Sequence, residues 1–402
     1  MPSTLPDGES VPADGALPGG ALEGVGERPF AFYVHVPFCV TRCGYCDFNT
    51  YTATELGPGA SRDSYVDTAI DEVRLARRVL GGAEVPVETV FVGGGTPTLL
   101  PPDDLGRLLS AIDGEFGLTP GAEVTTEANP ESVDEAYVAR LREVGFTRIS
   151  YGMQSAREHV LAVLERTHTP GRVPQVVEWT RKAGFEHVNL DLIYGTPGES
   201  DDDWMASLEA ALAAEPDHVS AYALIVEEGT RLAAQVKRGE LTPPDDDAMA
   251  DRYLIAEEML SAHGLRWYEI SNWAADPGAA CRHNVLYWTG ADWWGTGPGA
   301  HSHVGGTRWW NVKHPAAYAA RLAQGATPAY AREVLDEEDR RIERVMLELR
   351  LAQGCPAALL DDKAVRRAID DGLIEPAPYE DGRAVLTLRG RLLADAVVRD
   401  LT

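Results

Sequence analysis

The chain has 402 residues, 44% hydrophobic and 25% charged, enough apolar material for one large domain with smaller additions. Its 36 Lys and Arg against 63 Asp and Glu leave a formal net charge of −27, which excludes nucleic acid as a partner because phosphate-backbone binding needs clustered cations. No apolar run reaches the roughly 18 residues of a spanning helix, and five cysteines, three of them clustered, are not a secreted disulfide framework, so a reducing cytoplasm is the expected setting.

Residues 1–28 are rich in Pro, Gly, Ala and acidic side chains and lack a basic start followed by an apolar stretch, so they are expected to be a disordered tail rather than a signal peptide. The strand FAFYVHV then leads into a loop carrying Cys39, Cys43 and Cys46. A helix over SRDSYVDTAIDEVRLARRVL follows, then the strand VETVFV, the turn GGGTPTLL and a helical LGRLLSAI. AEVTTEANP reads as strand and turn, VDEAYVARLREVG as helix, and TRISYGMQS as a strand entering a loop, with REHVLAVLER after it. VPQVVEWTRKAG is helical, HVNLDLIYGTPGES is a strand with a Gly/Pro turn, and DDDWMASLEAALAAE is a helix whose acidic first turn suits the helix dipole. DHVSAYALI is the sixth strand.

Six strand-to-helix units with near-continuous apolar strands predict an α/β fold with a parallel sheet covered by helices. A complete barrel wants eight units, so the expectation is an incomplete (β/α)6 barrel or a doubly wound sheet over residues 29–264, with its site just after the strand ends. A Trp-, Gly- and His-rich extension occupies 265–330. Residues 331–402 are expected to form a winged-helix-like module from DRRIERVMLELRL, AVRRAIDDGLI, a hairpin EPAPYEDGRAVLTL and a final helix RGRLLADAVVRDL. That module holds 12 Lys and Arg against 16 Asp and Glu, which favours a packing or lid role over DNA binding.

Three thiols within eight residues of a glycine-containing loop point to a metal centre, since structural thiols are usually scattered and buried. Zinc prefers four ligands, and His35 would complete a Cys3His set. An iron–sulfur cluster is normally held by four cysteines, and three would leave one iron open to a chelating ligand. The residues alone leave both open.

CxxxCxxC after the first strand and GGGTP after the second resemble the radical S-adenosylmethionine (SAM) superfamily. The resemblance implies a [4Fe-4S] cluster on Cys39, Cys43 and Cys46, with SAM chelating the fourth iron. YVHVPFC, GGGTPT, TEANPE, SYGMQS and NLDLIYGTPG are similar to the branch that contains oxygen-independent coproporphyrinogen III oxidases and haem chaperones, from about residue 30 to the C-terminus. By that similarity SAM contacts fall at Tyr33, Gly94, Gly95, Thr96, Glu127, Gln154, Arg166, Asp191 and Ala223. The chemistry is apt: Gly94 and Gly95 let the backbone approach a ligand, Glu127 and Asp191 accept from an ammonium or ribose hydroxyls, and Arg166 pairs with a carboxylate.

Two features separate the members of that branch. The oxidase pattern continues to a fourth cysteine two residues after the third, where this chain has Phe48. His283, Asn284, Tyr287 and Trp288 form HNxxYW, which resembles the signature of the chaperone side and implies haem contacts there: an imidazole is a good iron ligand, and the two rings offer flat apolar surface. His301 and His303 are further candidates for lining the SAM or haem pocket, Cys281 is a candidate ligand or a small buried hydrophobe, and Cys355 reads as structural. The resemblance favours a chaperone that passes haem to acceptor proteins, with coproporphyrinogen III oxidase as the alternative. The sequence leaves open the acceptor, homodimerisation and peripheral membrane association.

Overall fold

The computed structural model of the chain describes residues 7–56, 61–166, 169 and 171–402. Six parallel strands, β1 (Phe30–Val36), β2 (Val87–Gly94), β3 (Leu118–Ala128), β4 (Arg148–Gln154), β5 (His187–Tyr194) and β6 (His218–Ala223), lie side by side in sequence order. A doubly wound sheet reverses its strand order at a switch point; this one does not. The incomplete barrel is therefore the right alternative of the two.

The connecting helices are α1 (Arg62–Leu80), α2 (Pro102–Phe116), α3 (Glu135–Glu143), α4 (Glu158–Val163), α5 (Arg172–Ala183) and α6 (Asp201–Ala213). Side chains cap three of these starts, as expected for polar residues before an apolar run: Ser61 accepts from Ser64 N–H, Asp134 from Tyr137 N–H, and Ser200 forms a capping box with Asp203. Alternation along each strand sends Phe32, Val34, Val90, Val92, Ile149, Leu190 and Val219 into one continuous core beneath these helices. The opposite, inner face is polar: Tyr33, His35, Thr89, Glu123, Glu127, Ser150, Asn189, Asp191 and His218 are joined there by hydrogen bonds.

After α7 (Arg231–Lys237) and α8 (Asp246–Ala262), the sheet grows at both flanks. β7 (Arg266–Glu269) and β8 (Asn272–Ala274) add antiparallel beyond β6. Following α9 (Arg282–Trp288), β9 (Asp292–Thr296) pairs parallel with β1, and β10 (His301–Val304), β11 (Thr307–Asn311) and, after α10 (Pro315–Ala323), β12 (Ala329–Val334) continue it antiparallel into a 12-stranded sheet. No described helix is long and apolar enough to cross a membrane.

Two expectations need correction. Residues 1–6 of the predicted tail lie outside the described residues, but 7–28 pack on the body: Glu9 and Arg332 exchange backbone hydrogen bonds of 2.9 and 3.0 Å, Thr327 N–H donates to Ala13 O at 2.8 Å, and Ala21 is buried. This segment covers edge strand β12, whose unpaired donors and acceptors need a partner. At the other end, α11 (Glu337–Glu348), β13 (Cys355–Pro356), α12 (Asp362–Asp370), α13 (Pro376–Glu380), β14 (Arg383–Ala384), α14 (Leu388–Leu392) and α15 (Ala394–Leu401) enclose a small core of Val345, Leu349, Cys355, Val365, Ile374, Leu386 and Val397. The expected hairpin over 375–388 is largely absent. Pro376 starts a helical turn, where its missing N–H costs nothing, and β14 pairs instead with β13; a single Ile374–Leu386 bridge remains. The wing is thus reduced to two-residue strands.

Candidate functional site

The cysteine loop is pinned by backbone bonds on three sides. Cys39 N–H donates to Tyr51 O and Tyr51 N–H to Pro37 O, closing the base of the loop at 3.1 and 2.7 Å. The turn after β2 meets it, with Gly95 N–H on Val36 O at 2.8 Å and Thr96 N–H on Phe38 O at 2.7 Å. Leu232 at the start of α7 donates to Gly44 O at 2.9 Å. The glycine run is explained by this closeness: Gly94 has φ +108°, and a Cβ on Gly95 would stand 2.4 Å from Phe38 O and 3.1 Å from Cys39 Sγ.

All three thiols open into a cavity of about 820 Å³ at the C-terminal ends of the strands, where a barrel of this type places its site. Gly94, Gly95, Thr96, Glu127, Gln154, Arg166, Asp191 and Ala223 line the same cavity, so those expected SAM residues converge from five different strand ends and the segment after α4. Gln154 sits at φ +64°, a backbone conformation unusual for a residue with a side chain and met at binding sites. The Arg166 guanidinium donates to Gly152 O at 2.9 Å and reaches Cys43 Sγ at 3.7 Å, while its buried Nε has no partner. Ser150 donates to Asp191 at 2.7 Å, fixing that carboxylate on the floor. Tyr33 is the exception: it stacks on Phe91, its hydroxyl meets His35 Nδ1 at 3.0 Å, and it does not line the cavity.

The donor set fits a multi-iron cluster better than a single ion. Among the described residues no three His, Cys, Asp or Glu side chains converge tightly enough to hold one metal ion, whereas a four-iron cluster takes its cysteines one per iron, spread apart. His35, the fourth ligand the zinc alternative requires, is buried with both ring nitrogens engaged, Nε2 by Asn49 O at 2.9 Å and Nδ1 by Tyr33. His35 therefore offers zinc no free nitrogen as a fourth ligand. Burial pushes the Cys39 thiol up to about 11 and raises Cys46 as well, so these two sulfurs become thiolates when a metal takes the place of their protons.

Burial, reinforced by the charge of Asp191 and opposed by the Gly94 N–H bond, pushes Glu127 from 4.5 up to about 8. Between those values the folded chain keeps a proton that the unfolded chain has released, so this carboxyl makes stability fall as pH rises from about 4.5 to about 8 and adds no slope beyond. Glu127→Gln removes that contribution. In urea denaturation of the chain without bound ligand, the variant's stability relative to the parent is expected to grow across this window; parallel curves would contradict it.

The HNxxYW residues lie elsewhere. α9 seats on the inner face of β2, at the opposite end of the strands from the thiols. Glu123 accepts from the first N–H groups, Arg282 and His283, each at 3.0 Å. His283 is 2% exposed and stacks on Phe91; its Nδ1 meets Thr89 Oγ1 at 2.7 Å and its Nε2 meets Tyr287 Oη at 2.9 Å. Burial holds this imidazole neutral, pushed down to about 3. Asn284 donates to buried Glu269 at 2.6 Å, Tyr287 packs edge-on to Trp293, and Trp288 is half-buried at the helix end. None of the four lines the thiol cavity, and His283 has no free nitrogen for iron. His301 stacks on Trp310 and His303 bonds Ala291 O and Gly306 N–H, so both are also off the cavity. Cys281 is buried with its thiol on Glu123, and Cys355 is in the C-terminal core. Sequence reasoning missed Tyr45, which stands inside CxxxCxxC directly before Cys46, and Tyr222 and Ile225, which carry no local motif, on the cavity wall.

Comparison with known proteins agrees with this fold. Residues 33–211 match the Radical SAM superfamily. The chain is 53% identical over 377 residues, 93% of its length and 95% of the relative's, to heme chaperone HemW of Mycobacterium tuberculosis, and 36% identical over 338 residues, 83% and 80% of the two lengths, to heme chaperone HemW of Synechocystis. Coproporphyrinogen III oxidase (HemN) from Escherichia coli, a radical SAM enzyme, has the same fold, with a TM-score of 0.80 over 94% of this chain and 91% of that one at 23% identity. The chain belongs to the HemW family of heme chaperones within the radical SAM superfamily.

Proposed function

We propose that this chain binds haem and hands it to acceptor proteins in the cytoplasm, carrying a [4Fe-4S] cluster on Cys39, Cys43 and Cys46 and an exchangeable SAM. The observation that carries the reading over the oxidase alternative is Phe48, which occupies the place of a fourth loop cysteine and lies half-exposed on the wall of the thiol cavity. The relatives that match nearly the whole chain are heme chaperones, which supports the same reading.

When bound, the cluster supplies a low-potential electron and an open iron for chelation. The chain's own residues do the rest. Arg166 places a fixed cation beside the thiols and offers its unpartnered Nε to a carboxylate. Glu127 and Asp191 present acceptors from the floor, and ionised Glu127 is stabilised by any ammonium that enters, so ligand binding near neutral pH is coupled to release of its proton.

Titration of the anaerobically reconstituted full chain with haem tests the proposal. The expected result is saturable binding of about one haem per chain with a shifted Soret band. Absence of binding overturns it. Formation of protoporphyrinogen IX from coproporphyrinogen III, with SAM and a reductant, would assign the oxidase reading instead.

A further inference from the structure

The thiol cavity has an apolar lip. Val40 and Phe48 on the cysteine loop, Tyr222 at the end of β6 and Ile225 just beyond it are 72%, 49%, 43% and 66% exposed, and all four line this cavity. They are four of the ten large apolar side chains exposed among the described residues, a concentration that marks an interaction surface rather than scattered surface hydrophobes. The two pairs come from the two ends of the six-strand array, so the lip spans the mouth between β1 and β6. Below it the floor is polar, built from Arg166, Glu127 and Asp191. Floor and lip therefore suit different chemistries: a small charged ligand within, and a broad flat apolar one above.

Resting on the haem-binding reading, we infer that the haem macrocycle lies on this lip, over the cysteine loop, and that α9 is a plug for the barrel interior rather than the cargo's seat. α9 offers a macrocycle no open face: the His283 nitrogens are taken by Thr89 and Tyr287, its ring is covered by Phe91, and Tyr287 is packed on Trp293. The lip instead offers apolar surface already free of the fold. Because Val40 and Phe48 flank the cysteines, whatever fills the cavity and orders this loop also shapes the seat.

The test is a haem titration of the cluster-loaded full chain carrying Phe48→Ser with Ile225→Ser. Removing these two contacts is expected to weaken haem binding roughly ten-fold or more in samples matched to the parent for iron and sulfide content. Tyr330→Ser with Val334→Ser, two exposed apolar residues on β12 away from the cavity, is expected to leave haem affinity within about two-fold of the parent. Unchanged affinity in the lip variant overturns the seat while leaving haem binding itself standing. Equal weakening in both variants shows nonspecific adsorption and also overturns it. So does a lip variant that alters oligomeric state with haem affinity intact, which would give the lip to a second copy of the chain. A parent chain that binds no haem removes the reading and the seat together.

Discussion

Replacing Cys39, Cys43 and Cys46 together by alanine is expected to take the reconstituted chain from about four iron and four sulfide per chain to none. The size of the effect follows from the absence of substitutes. Cys281 and Cys355 are buried in other cores, and His35 has both nitrogens committed to Asn49 and Tyr33. Each single replacement is expected to destabilise the cluster strongly, because two cysteines leave a second iron without a protein ligand. Cys281→Ala and Cys355→Ala are expected to retain full iron. The fold itself survives the triple change, since the loop is held by Tyr51, Pro37, Gly95 and Leu232 through backbone bonds that alanine keeps. Iron and sulfide analysis with circular dichroism on the same sample checks both halves. One zinc per parent chain in place of iron would overturn the assignment.

The parts of this site that were legible in the sequence are those encoded locally. Each loop after a strand carries its chemistry within a few residues, so CxxxCxxC, GGGTP and the strand-end Glu127, Gln154 and Asp191 could be placed before any contact was known, and parallel order brought them together. What was not legible depends on partners distant in the chain. Tyr33 follows the strand alternation onto the inner face, but Phe91 and His35 decide that it stays below the cavity. His283 is a good iron ligand by residue type; Thr89, nearly two hundred residues earlier, and Tyr287 close both of its nitrogens. The N-terminal segment has the composition of a disordered tail, and only the edge of β12 gives it a place to lie. Phe48 shows both sides of this. Its meaning as a missing cysteine is a local reading, whereas its place in one cavity with Ile225 depends on the six-strand array bringing the segments after β1 and β6 to the same site.

Glu123→Ala is expected to lower folding stability by about 3–5 kcal/mol, a large part of the total for a typical domain. Glu123 and Arg148 are both buried, 3.9 Å apart at the base of the barrel interior. Glu123 also satisfies the free N–H groups of Arg282 and His283 at the start of α9 and accepts from the Cys281 thiol, while Arg148 reaches Ala279 O at 2.7 Å and already leaves Nη2 without a partner. Truncation thus strands a buried guanidinium, the buried His283 N–H and the part-buried Arg282 N–H in one step, where breaking an exposed ion pair would cost under about 1 kcal/mol. Glu123→Gln keeps an acceptor for one of those donors and is expected to fall between parent and alanine. Urea denaturation supplies the measurement, and a loss below about 1 kcal/mol for the alanine variant would show that α9 is not held by this contact. The same strand separates structure from function: β3 carries Glu123 at the plug and Glu127 on the cavity floor. Glu123→Ala should therefore cost stability while the folded fraction keeps its iron and its SAM affinity, and Glu127→Gln should spare stability while weakening SAM binding. If the two variants instead lost both properties together, the plug and the cavity would be one cooperative unit, and α9 would reach the cluster through the barrel interior.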